Sequence, residues 1–192
     1  MKGIKLPLQN KNIIITRAKD QISGAKIIFE NAGAFIFDLP ALMIDYPDNV
    51  TPLDKVIAQI NKFDWIIFLS SNGIKYLEKR LLDKGLSLKK CSNDFNIAVV
   101  GEKTAKYLSN TGIVADYVPP EFIAESLVKN FPFPLKDLHI LIPRVQSGGN
   151  NFIIENFMSR GALVKEVAVY ESKCPESIPQ ETINALQSKM ID

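Results

Sequence analysis

The chain has 192 residues, 46% of them apolar and 23% charged, a composition that excludes disordered, collagen-like and mucin-like classes. Its 23 Lys and Arg stand against 21 Asp and Glu, and a net charge of +2 is too balanced to argue for nucleic acid, although a local patch can still hold an anion. No stretch approaches the roughly 18 uninterrupted apolar residues of a membrane helix, and the start MKGIKLPLQNKNIIITR lacks the features of a secretory signal.

Along the chain, short β-rich apolar runs alternate with amphipathic segments. The runs are Ile13–Ile15, Phe35–Phe37, Trp65–Phe68, Ile97–Val100, His139–Ile142 and Val167–Tyr170. Such runs, bounded by polar turns, suit strands buried on both faces of a parallel sheet. Helical patterns fall at 19–32, 53–61, 72–83, 102–110, 121–130 and 150–160. Gly33, Gly112 and Gly161 follow three of them, where a left-handed C-terminal residue belongs. Strand, helix, strand in repetition predicts an α/β fold with right-handed crossovers.

An internal repeat divides the chain. Ile13-Ile-Ile-Thr-Arg17 resembles Ile140-Leu-Ile-Pro-Arg144, and each is followed at nearly the same interval by Gly-Ala, at Gly33-Ala34 and Gly161-Ala162. Two similar α/β units are therefore expected, the second inserted into the first. Residues 1–42 with 171–192 form the outer domain, 43–52 and 169–179 the connecting strands, and 53–168 the inserted domain. The final segment Ile183–Asp192 has the character of Ile57–Asp64, which leads into a strand. The outer domain is accordingly expected to be incomplete in this sequence.

In parallel sheets ligands sit at the carboxyl ends of strands, against helix N-termini. Arg17 follows the first strand. Ser70, Ser71 and Asn72 follow Trp65–Phe68; they read as a helix cap, or as amides and hydroxyls that grip a carboxylate or phosphate. Gly101 and Thr104 open the helix after Ile97–Val100. Arg144 follows His139–Ile142 and, like Arg17, suits a two-pronged carboxylate clamp or an exposed ion pair. The Ser147–Asn151 loop reads as an anion nest or as a surface loop. Tyr170 ends its strand at the junction between units, with a hydroxyl to satisfy or to use. Neither a Gly-x-x-x-x-Gly-Lys-Ser/Thr loop nor a Gly-x-Gly-x-x-Gly fingerprint occurs. Cys91 and Cys174 have no metal-ligand spacing and fit a reducing, cytoplasmic setting, and the single His139 reads as structural. An enzyme built from these parts works by shape and electrostatics.

The ordered set Ile13–Arg17, Asp64–Ile74, Ala98–Ala105, Ala115–Pro119, Ala124–Leu127, Leu141–Arg144 and Gly161–Tyr170 resembles uroporphyrinogen-III synthases. The resemblance implies two flavodoxin-like parallel-sheet domains joined by a two-stranded linker. It also implies cyclisation of the linear tetrapyrrole hydroxymethylbilane, with loss of water and inversion of ring D. No cofactor and no metal are implied; the partner is a small polycarboxylate substrate, with no nucleic acid or membrane, and the full-length protein is expected to be a monomer. Tyr170 matches the tyrosine that assists departure of the hydroxyl, while Ser70, Ser71, Gly101 and Thr104 match carboxylate-binding loops. The family usually has Thr where this chain has Leu69, and its chains continue beyond position 192. An inactive α/β fragment that binds an anion or a partner is the alternative. A flavin-binding flavodoxin is a weaker one, because Trp65 sits in a strand rather than over a cofactor site.

Overall fold

A computed structural model describes residues 6–18 and 22–192. Two compact units make up the chain: residues 1–45 with 172–192, and residues 46–171.

In the first unit, β1 (Asn12–Ile15) and β2 (Phe35–Asp38) pair in parallel, from Asn12 opposite Phe35 to Ile15 opposite Asp38, and α1 (Ile22–Asn31) makes the crossover. The expected start of this helix, at 19–21, lies outside the described residues. β3 (Met43–Asp45) follows in a stretch expected to be linker. At the other end of the chain, α8 (Gln180–Gln187) packs on β2, and the Thr182 hydroxyl donates to the Asp38 carbonyl at 2.8 Å.

The second unit starts with α2 (Thr51–Ile57), two residues earlier than expected because Pro52 sits in its first turn, where a missing N–H costs nothing. A short 3₁₀ turn (Ile60–Lys62) leads into β4 (Trp65–Phe68) and α3 (Ser71–Asp83). Then come α4 (Leu88–Cys91), β5 (Asn96–Val99), α5 (Glu102–Asn110) and α6 (Ala124–Asn130). The unit closes with β6 (His139–Val145), α7 (Phe152–Ser159) and β7 (Leu163–Lys173), whose last two residues belong to the first unit. The four-residue α4 has no periodic signal; Ser87 caps it by accepting from the Lys90 amide at 3.3 Å.

The strand order here is β7-β6-β4-β5, all parallel. Counted within the unit, that is fourth, third, first, second, the doubly wound order of flavodoxin-like sheets. β4 lies in the middle with all four residues buried. Trp65 and Ile67 face a core with Leu127 of α6 and Ile154 and Phe157 of α7. Ile66 and Phe68 alternate to the other face, where α3 and α5 pack together. Trp65 is also edge-on to Phe131 with ring centroids 5.0 Å apart, so it is a core residue.

The repeat read from the sequence is structural. β1-α1-β2 and β6-α7-β7 are both parallel strand-helix-strand units. Their helices end in the same way: Gly33 and Gly161 have φ of 97° and 92°, and the following Ala34 and Ala162 are buried. The amides of Gly33 and Ala34 bond Glu30 and Phe29 carbonyls at 2.9 and 3.1 Å. Those of Gly161 and Ala162 bond Met158 and Phe157 at 3.0 and 3.0 Å. This is the paired hydrogen-bond pattern of a Schellman end, which needs a left-handed residue at the glycine.

One ion pair fastens α2 to α3. The Arg80 Nε and Nη2 donate to the two carboxylate oxygens of Asp54 at 2.8 Å each, and Lys84 Nζ adds a third contact at 3.1 Å. Hydrogen bonding from Arg80 lowers the Asp54 pKa from 3.8 to about 2. A carboxyl depressed in the folded state stabilises above its unfolded pKa, and that contribution disappears as pH falls from about 4 to about 2. Asp54→Asn is therefore expected to cost about 1 kcal/mol near neutral pH. The gap between wild type and variant in urea unfolding should close on acidification to about pH 2.

Candidate functional site

β4 leaves the middle of its sheet toward β5 on one side and has β6 on the other, so the crevice beyond its carboxyl end is the switch point where ligands bind in such sheets. A cavity of about 280 Å³ lies there. Leu69 and Ser70 line it from the end of β4, Val100 from the end of β5, Arg144 and Val145 from β6, and Tyr170 from β7. Gly149, Asn150, Phe152 and Ile153 close it from the start of α7, and Ala124 from the start of α6. The lining is mostly apolar, with a few convergent polar groups, the usual make-up of a small-molecule site.

Of the residues singled out in the sequence, Ser70, Arg144 and Tyr170 come together at this cavity. The Ser70 Oγ is 3.2 Å from the Tyr170 hydroxyl, and it accepts from the Gly73 amide at 3.2 Å as the N-cap of α3. Ser70 is thus both a cap and a site residue. With one lone pair engaged by the amide, Ser70 can either donate to Tyr170 or accept from it; when it donates, the phenolic proton is left for a ligand. Gly73 packs tightly, since an added Cβ would lie 3.1 Å from the Pro143 carbonyl; its amide serves the cap rather than an anion. The amides of Ser71 and Asn72, in the first turn of the 13-residue α3, make no hydrogen bond among the described residues.

A β-bulge sets the position of Tyr170. Arg144 faces Ala168 across the β6–β7 pair, but Val145 faces Tyr170, so one residue, Val169, is inserted between them. Bulges re-aim side chains near functional sites. Val169 is fully buried while Tyr170 is only partly buried.

Arg144 departs from the expected clamp. It lies within β6 rather than past it, and its side chain is 12% exposed. Its Nη1 already donates to Glu166 and, at 2.9 Å, to Asn151 Oδ1. Gly149 lies directly on the guanidinium, where an added Cβ would be 1.9 Å from Nη2. The Ser147–Asn151 loop therefore works as a cover on Arg144, and a more polar cavity of about 380 Å³ opens beside it. Glu166 has no distinguishing signal in sequence, and Gly149 is marked only as part of the Ser147–Asn151 loop; the Arg144–Glu166 pair follows only once β6 and β7 are in register.

Gly101 and Thr104 stand at the neighbouring strand end, where the Val100 amide bonds the Phe68 carbonyl at 3.2 Å. Gly101 occupies the N-cap position of α5, and Thr104 is 5% exposed, its hydroxyl in no hydrogen bond among the described residues. Arg17 is exposed in the first unit, two residues past β1. His139 is exposed at the start of β6, and its backbone amide donates to Asp64 Oδ2 at 2.8 Å. Among the described residues, no cluster of three or more metal-ligating side chains occurs, and no helix is long and apolar enough to cross a membrane.

Gly101 gives a clean probe of this edge. An added Cβ meets nothing nearer than the Thr104 Oγ1 at 3.7 Å, an ordinary contact, and the backbone φ is −108°. Gly101→Ala should leave thermal stability within about 0.5 kcal/mol. Gly149→Ala should also fold but displace the Arg144 guanidinium from Glu166; thermal unfolding checks the first variant and a crystal structure the second.

Residues 23–192 match the family model described as uroporphyrinogen-III synthase HemD. The chain is 44% identical over 183 residues to a uroporphyrinogen-III synthase of Synechococcus elongatus, covering 94% of this chain and 68% of that one. It is 30% identical over 120 residues to a porphyrin biosynthesis protein HemD of Ruminiclostridium josui, covering 62% and 23%. Among solved structures, a mutant uroporphyrinogen III synthase of Thermus thermophilus superposes with a TM-score of 0.64 at 16% identity, over 95% of this chain and 70% of that one. The Helicobacter pylori uroporphyrinogen-III synthetase gives 0.53 at 17%, over 92% and 67%. These two share the fold, and the fold, the family model and the cyanobacterial relative agree: this chain belongs to the uroporphyrinogen-III synthase family.

Proposed function

We propose that this protein acts as a uroporphyrinogen-III synthase in porphyrin biosynthesis, cyclising hydroxymethylbilane with loss of water and inversion of ring D, and that Tyr170 is its catalytic residue. The observation that carries the reading is the Ser70–Tyr170 pair in the lining of a mostly apolar cavity, in a chain whose family is defined by that reaction.

The chemistry asks little of a nucleophile. The C–O bond of the substrate's hydroxymethyl group breaks as its oxygen takes a proton and leaves as water. The remaining azafulvene is electron-poor and closes without inversion if unguided. Tyr170 supplies the proton from its hydroxyl, and the proton released when the closed ring regains aromaticity restores the phenol. Leu69, Val100, Phe152 and Ile153 keep water from the electron-poor carbon. Orientation decides which carbon of ring D attacks, and here the contribution of the protein is proximity.

The carboxylates of the substrate go to the strand ends. The unbonded Ser71 and Asn72 amides face them as donors at the start of α3, with Gly101 and Thr104 on the adjacent loop. Arg144, its charge balanced by Glu166, offers its remaining guanidinium N–H donors, and Arg17 is the corresponding basic residue of the first unit. No metal or cofactor enters this scheme. The setting is a monomer in the cytoplasm, where a reducing environment suits the unpaired cysteines.

Tyr170→Phe removes one oxygen and keeps the ring. It should lower kcat roughly ten- to hundredfold with little change in unfolding temperature. The assay uses freshly generated hydroxymethylbilane and separates type III from type I uroporphyrin after oxidation. Wild-type turnover in the variant would remove Tyr170 from the mechanism. Thr104→Val preserves shape and deletes an unbonded hydroxyl from a residue that is otherwise buried. It should raise the Michaelis constant severalfold at unchanged stability; an unaltered constant would mean that Thr104 only packs.

A further inference from the structure

Tyr76 does not line the cavity, yet it is the residue against which Tyr170 rests. It is 5% exposed in the second turn of α3, and its ring stacks on that of Tyr170, with centroids 5.9 Å apart and planes 30° from parallel. On its other side Tyr46 meets it edge-on, at 5.3 Å and 83°, and the Tyr46 hydroxyl reaches the Tyr76 carbonyl at 3.5 Å. Tyr46 and Tyr170 are the first and next-to-last residues of the second unit, so the two passages of chain out of that unit meet on Tyr76.

We propose that Tyr76 is a positioning residue for Tyr170, holding its ring so that the hydroxyl stays on Ser70 and faces the cavity. The proposal rests on the role assigned to Tyr170 above. Ser70 caps α3 and Tyr76 lies six residues further along the same helix. One rigid helix therefore holds the phenol at two points, at the oxygen and at the ring face. A phenol tethered only at its oxygen swings about that contact, and a stacked ring removes the swing. Burial alone does not demand an aromatic here, since Leu77 and Leu81 fill the same helix's core positions with aliphatic carbon. What an aliphatic residue lacks is a flat face to set the plane of Tyr170. A proton donor is effective only within hydrogen-bond reach of its target, so loss of the plane is expected to reduce turnover rather than binding.

Tyr76→Leu should lower kcat about tenfold with the Michaelis constant within twofold, and Tyr76→Phe should keep both within twofold. In a Tyr170→Phe background Tyr76→Leu should cause no further loss, because its effect runs through the hydroxyl already removed. Should the Leu variant fail to fold, Tyr76→Met carries the same expectations. Unchanged turnover in Tyr76→Leu overturns the proposal, as does an equal loss in the Tyr170→Phe background. A crystal structure of the variant decides independently of activity: a Tyr170 hydroxyl displaced from Ser70 supports the proposal, and one still at 3.2 Å overturns it. If Tyr170→Phe alone keeps wild-type turnover, the catalytic reading fails instead, and the variant's crystal structure still tests the positioning.

Discussion

The second unit depends on one strand. Trp65, Ile66, Ile67 and Phe68 are all buried, and β4 pairs with β5 along one edge and with β6 along the other. Each such side chain contributes about 1.5–3 kcal/mol by leaving water, so a polar residue anywhere in this run would be felt through the whole unit. Because β4 is central and the sheet is parallel, the chain must leave it at the same edge from which β5, β6 and β7 also emerge. Ser70 and Tyr170 are 100 residues apart, with Gly101 and Arg144 between them, and this single constraint brings their strand ends to one side of the sheet. The cavity is a consequence of the topology before it is a consequence of any side chain.

How far the sequence discloses this depends on the range of the interaction. β4 and β6 are legible because continuous apolar runs between polar turns leave few alternatives. Gly33 and Gly161 are legible because a helix end with the next alanine buried needs a left-handed residue, and glycine adopts it without strain. Ser70 is legible as a cap because its bond to Gly73 spans three residues. Its contact with Tyr170 spans 100 residues and depends on a bulge at Val169, for which a run of alternating apolar residues carries no mark. The partnership of Arg144 with Glu166 is hidden for the same reason. So is Tyr76, which in sequence is one more apolar position on an amphipathic helix. Short α4 and the early start of α2 escape because caps and a proline, rather than periodicity, define them.

The repeated strand-helix-strand units share more than a fold. Both end their helices with the same two hydrogen bonds, and both carry an arginine close to the end of the leading strand. The two arginines nonetheless differ. Arg144 is drawn into the sheet, under Gly149 and against Glu166, whereas Arg17 is exposed. Equivalent positions in a repeat therefore need not have equivalent chemistry: the neighbouring strand and loop decide whether a guanidinium is held or presented.

The sparse polarity of the cavity bears on the proposed reaction. A site that stabilised the cationic intermediate strongly, with a carboxylate beside it, would deepen that intermediate and slow its closure. The Glu166 carboxylate bonds a lining residue, and its charge is taken up by that residue, Arg144. What remains in the cavity lining is a phenol, the serine hydroxyl beside it, the Asn150 amide and apolar carbon. Such a site gives little to the intermediate and much to its geometry, which is where the difference between inverted and uninverted closure lies. Precision in placing one ring then matters more than the acidity of any group, and the bulge at Val169, the cap at Ser70 and the stacked face of Tyr76 all act on the placement of the same side chain.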